Sequence, residues 1–235
     1  MSGKYYMKPF SKDWWRNYWY YYKWPTVVGI IVVLALILLI SQLPFFQPRA
    51  DFAFMYAGNI KGMGSTDGYE LERRFSTVVS DIDGDGKYHV TSDVIYIEES
   101  EAGSVESPMG IVLDSTVAAG EHTVFFSSEY MLRRFDAENN MYDLTALAEK
   151  YNIPEEKLRR TESGKVFAIS IADNKIFENL PEENDLSEVY ILVRDLRYND
   201  QSNYKKNLHA HGVEMAEYII SNGTYVPERK TYSIN

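Results

Sequence analysis

Between Val27 and Ile40 the chain runs for fourteen residues with neither a charge nor a hydrogen-bonding side chain. The wider stretch from Trp24 to Leu43 is 20 residues. At about 1.5 Å per residue a helix of that length spans roughly 30 Å, the thickness of a hydrocarbon core. In lipid only a helix satisfies its own backbone polar groups over such a distance. The apolar run is longer than a cleaved leader needs, and no small-x-small cleavage pattern follows it. It reads as an uncleaved signal anchor that Pro44 stops.

Charge divides the chain around this rod. Residues 1–24 carry Lys4, Lys8, Lys12, Arg16 and Lys23 against Asp13, a net +4, and residues 25–48 carry no charge. With −10 over the whole 235-residue chain, the body from residue 49 holds −14. The basic flank predicts a cytoplasmic N-terminus and an exported, extracytoplasmic body. An acidic body argues against a nucleic-acid partner, whose phosphates need cations. The absence of cysteine excludes a disulfide framework, a thiolate metal site and a thiol nucleophile.

Three segments follow: a cytoplasmic basic and aromatic stretch at 1–24, a transmembrane helix at 25–44 and an extracytoplasmic domain at 49–235. All four tryptophans, Trp14, Trp15, Trp19 and Trp24, precede the rod with Tyr18, Tyr20, Tyr21 and Tyr22 among them. Such rings favour the headgroup layer of a lipid bilayer. The alternative reading is a docking surface for a second membrane protein, which stacked aromatic faces also suit. Ser11 is placed to cap a short helix over 12–24.

In the body, Asp51–Ala57 reads as a buried strand followed by a glycine-rich loop (Gly62, Gly64, Gly68). Leu71, Phe75, Val78, Val79 and Ile82 fall on one face of a helix over 69–82. Strands are expected at 88–97, 122–126, 166–172 and 189–193. The acidic stretch 98–108 reads as a solvated loop. Helices are expected at 109–119 with Gly120 closing it, at 129–136, 143–151 and 154–160, and at 202–222 with Gly223 behind it. This alternation predicts an α/β domain with a largely parallel sheet.

Asp81, Asp83 and Asp85, with Gly86 next, match the opening of an oxygen-lined calcium loop, in which alternate carboxylates converge on one hard cation. The twelfth position is Ser92 rather than Glu, so Asp93 or the Lys87 carbonyl would have to complete it. The same Asp-Gly pairs also make tight turns without any ion. On a helix His209 and His211 point apart and only His211 and Glu214 share a face, which reads as polar surface. His89 and His122 stand alone and read as structural. No phosphate-binding, dinucleotide or nucleophile-elbow motif is present.

The step from Leu113 through Ala118-Ala119-Gly120-Glu121 into His122–Ser128, then Met141–Leu147 and Lys165–Ile171, resembles extracellular solute-binding proteins, the type II periplasmic-binding-protein-like fold. The form it resembles is membrane-anchored, as in Gram-positive bacteria. The resemblance spans most of 51–222 and implies one lobe of that fold; it carries over no ligand residues. The expected function is a non-enzymatic, single-pass interaction or accessory subunit of a membrane complex, such as a transporter. The alternatives are a receptor for a solute or calcium and a cell-envelope hydrolase.

Overall fold

The computed structural model describes residues 10–41, 49–60, 65–104, 107–180, 185–197 and 202–232. The chain divides into two units, Met1–Pro48 and Arg49–Asn235. The expected stop at Pro44 and the turn glycines Gly62 and Gly64 lie outside the described residues.

Among its described residues the first unit is one helix, α1, Lys12–Ser41. The aromatic and apolar segments, read separately from the sequence, are continuous. Ser11 caps it as expected: its Oγ accepts from the Trp14 N–H (3.3 Å) and its carbonyl from Trp15 (3.0 Å). Thirty residues give about 45 Å, the bilayer with its headgroups. Pro25 lies within α1, where the aromatic stretch meets the uncharged run, and its missing N–H leaves one carbonyl of the preceding turn without a helical partner.

The second unit is built on a six-stranded sheet. The strands are β1 Phe52–Ala57, β2 Val90–Ile95, β3 Val124–Ser128, β4 Leu158–Arg160, β5 Val166–Ser170 and β6 Val189–Val193, in the order β2-β1-β3-β6-β5-β4. The sheet is mixed. β2, β1 and β3 are parallel, whereas β6, β5 and β4 continue it antiparallel. The parallel half follows from helical crossovers. The antiparallel half begins with a tight hairpin, in which Thr161 donates to Lys165 (2.9 Å) and Gly164 takes φ +93°. Pro154–Arg160 is therefore not a helix: Pro154 is extended, a single 3₁₀ turn covers Glu155–Lys157, and Leu158 pairs with Ile169 in the sheet.

The helices are α2 Ser65–Phe75, α3 Glu99–Ala102, α4 Pro108–Ala119, α5 Ala137–Asn140, α6 Thr145–Lys150 and α7 Asn203–Ile220. A 3₁₀ turn spans Glu129–Arg134 where a helix was expected. Leu71 and Phe75 of α2 and Met215 and Ile219 of α7 bury one face of the sheet with Phe52, Phe54 and Tyr56. Leu113 and Val117 of α4 bury the other with Met55, Ile95 and Phe125. α4 ends at Gly120, left-handed at φ +68°, as the sequence indicates. The α2 periodicity runs on to Ile82 but the helix stops at Phe75. Ser80, Asp81 and Ile82 find other partners for their N–H groups, in His211, Lys230 and Asp51.

Aromatic packing dominates the core. Phe54 lies 5.3 Å from Phe75, 5.7 Å from Tyr56 and 5.8 Å from Phe126, ring centre to ring centre, and is fully buried. Phe54→Ala is expected to lower unfolding stability by about 3–5 kcal/mol in chemical denaturation. A loss under ~1 kcal/mol would mean that this cluster is not the core.

Candidate functional site

At the head of β1, Asp51 is fully buried and its two oxygens accept backbone N–H groups from Ile82 (2.5 Å) and His89 (2.7 Å). The segment from Asp81 to Lys87 folds beside it. Asp81 accepts from Gly84 (2.6 Å) and Gly86 (3.0 Å), both glycines being left-handed. Asp83 accepts from Asp85 N–H (3.1 Å) and Asp85 from Lys87 N–H (2.7 Å). Asp81 also carries the C-terminal segment: its N–H donates to Lys230 (3.0 Å) and its carbonyl accepts from Tyr232 (2.9 Å).

Oxygens of Asp51, Asp81 and Asp83 lie within 4.8 Å of one another. Asp85 stands apart, 3.6 Å from His89 Nε2. The twelfth position and one of the two proposed completions, Asp93, have other partners. Ser92 gives its N–H and hydroxyl to Glu72 (both 2.7 Å), and Asp93 meets His122 Nε2 at 2.8 Å. Burial pushes the Asp51 carboxyl above its ordinary value of 3.8; the Asp83 charge adds to this, and the two backbone N–H groups oppose it. A hard cation would relieve this crowding, because each carboxylate oxygen keeps a second lone pair beside its N–H bond. Asp51 was missed in the sequence because it lies thirty residues from the loop and belongs to no motif.

The histidines are not the polar surface expected. His211 is fully buried and His209 nearly so. His211 Nε2 accepts the Ser80 N–H (3.1 Å), which assigns the proton to Nδ1, facing Glu214 (3.2 Å). That bond holds the Glu214 carboxyl below its usual range. Both ring nitrogens are thus engaged, and His211 is a structural hydrogen-bonding post rather than a metal ligand. Ser80 turns its hydroxyl to the Glu228 carbonyl (3.4 Å), so Ser80 and His211 do not form a nucleophile and base. His122 is buried, and burial lowers its pKa despite Asp93.

In a sheet ordered β2-β1-β3 the expected ligand crevice lies past the carboxyl ends of β1 and β3. Tyr130 fills it. Its hydroxyl donates to the Ile97 carbonyl (2.6 Å) and accepts from Asn59 N–H (2.5 Å). A Cβ on Gly58 would come within 2.5 Å of Ser128 Oγ.

On α1, Trp14 and Tyr18 are half-buried, and Trp15, Trp19 and Trp24 are exposed. Trp14, Tyr18 and Tyr22 stack in succession at 5.5 Å, and the Tyr18 hydroxyl reaches Thr26 Oγ1 at 2.6 Å. At 100° per residue Lys12, Arg16 and Lys23 fall within about 40° of one another, on the opposite side of the helix. Neither a protein-family model nor a curated protein matches this chain.

Asp51→Asn offers one acceptor where two N–H groups need one each, and should cost about 1–3 kcal/mol at pH 7. Because the folded-state pKa is raised, the wild-type contribution is fully present below pH 3.8 and fades as pH rises through the raised value. The variant should flatten that part of a stability–pH profile measured by denaturant melts. An unchanged slope would contradict the assignment.

Proposed function

We propose that the chain is a single-pass membrane protein whose helix α1 holds the acidic α/β unit on the outer face of the cell. There the unit serves as a non-enzymatic interaction or accessory subunit of a membrane complex, such as a transporter. One observation carries this reading. Over residues 25–40 α1 is uncharged and, Thr26 aside, exposed throughout, with its aromatic stack and basic stripe at the N-terminal end only. The orientation rests on that asymmetry. The parallel β2-β1-β3 half accords with one lobe of a solute-binding protein.

The chain lacks cysteine, so single introduced thiols report sidedness cleanly. On intact cells a membrane-impermeant maleimide should label Asp173→Cys and spare Asp13→Cys until the cells are opened. The reverse pattern would overturn the orientation.

The Asp51, Asp81 and Asp83 cluster favours a second reading, in which the unit binds calcium. For the full chain in detergent, calcium at about a hundred times its Kd should add ~2.7 kcal/mol, or roughly 5–11 °C in Tm, reversed by chelator. Asp83→Asn should abolish the shift, and acidification should weaken it as protons compete. An unmoved Tm in millimolar calcium would remove this reading.

A further inference from the structure

Among the described residues of the α/β unit, nine large apolar side chains are exposed, and five of them lie around one sheet edge. That edge is β2, flanked by α2 on one face and α4 on the other. Tyr69 projects from α2, Val94 and Tyr96 from β2 and the residue after it, and Met109 and Val112 from α4. On the flank of α4 that faces the body, Asp114 pairs with Arg134 at 2.9 Å. At 100° per residue Met109 and Val112 fall on the opposite flank, toward the β2 edge. Five side chains about half exposed offer on the order of 500 Å². Patches beyond a few hundred Å² mark interaction sites.

The rim of this patch is acidic. Asp93, Glu98, Glu99 and Glu101 are exposed, and none pairs with Lys or Arg among the described residues. Two copies of a body carrying −14 would bring these rims together and repel. Glu72 occupies the Ser92 N–H on the outer side of β2, which discourages an added strand. We infer that the β2 edge, with the outer flanks of α2 and α4, docks a different protein through a surface with an apolar centre and a basic rim. Side chains rather than sheet extension make the contact. This inference rests on the interaction-subunit reading and names the surface it uses.

The test is photo-crosslinking of the full chain in native membranes, with p-benzoylphenylalanine at Val112 or, as a control four strands away, at Asp173. The expected result is an adduct with one other protein from Val112 and not from Asp173. Combined Glu98→Lys, Glu99→Lys and Glu101→Lys should cut its yield at least tenfold while the melting temperature holds. An adduct with a second copy, an adduct indifferent to charge reversal, or lipid adducts alone would overturn the inference. A heteromeric adduct from Asp173 with none from Val112 would displace the surface and leave the interaction-subunit reading standing. No adduct from either position would count against both.

Discussion

The structure depends first on the demand of α1 for an apolar solvent. Twelve of the fourteen residues from Val27 to Ile40 are Val, Ile or Leu, and all are exposed. At about 1.5–3 kcal/mol per side chain, leaving them in water costs roughly 20–35 kcal/mol. That exceeds the ~5–15 kcal/mol by which a whole domain is folded. A bilayer meets the demand at no cost to the fold, and the stacked Trp14, Tyr18 and Tyr22 then sit where amphipathic rings are most stable. The α/β unit needs no such help. Phe54, Phe75, Phe126 and their neighbours bury a core on one sheet face, and α4 with Met55 and Phe125 builds a second on the other.

Within that unit two buried aspartates act as fasteners, Asp51 through its carboxylate and Asp81 through its main chain. Asp51 joins the start of β1 to the segment before β2, and Asp81 joins that segment to the C-terminal strip at Lys230–Tyr232. His211 does the same from α7 by accepting the Ser80 N–H. These three residues end the α2 region where helical periodicity alone would carry it further. The fasteners hold like charges close together, with Asp51, Asp81 and Asp83 in one cluster, a crowding that a bound cation would relieve.

Elements governed by their own residues were legible in the sequence. Val189–Val193 is a strand to the residue, α4 ends at Gly120, and Ser11 caps α1 by accepting from Trp14 N–H. What depends on distant partners was not. The direction of β4 and β6 is set by the strands they meet, and a short run with one apolar residue, Leu158, carries no period to read. The polar look of His209 and His211 misleads because their burial comes from packing against Ser80 and Tyr142. Asp81 and Asp83 were visible as a motif, but their third partner, Asp51, could be found only by folding the chain. The Tyr130 bridge was equally hidden, since nothing local marks a tyrosine that will reach Asn59 and Ile97.

The claim beneath all of this is that the uncharged half of α1 lies in lipid. A nitroxide on Leu36→Cys, in the full chain reconstituted into vesicles, measures it most directly by comparing collisions with oxygen and with a polar nickel chelate. The account predicts high accessibility to oxygen and near exclusion of the chelate, with the opposite balance at Asp173→Cys. Free access of the chelate to Leu36→Cys would place the helix in water and contradict it.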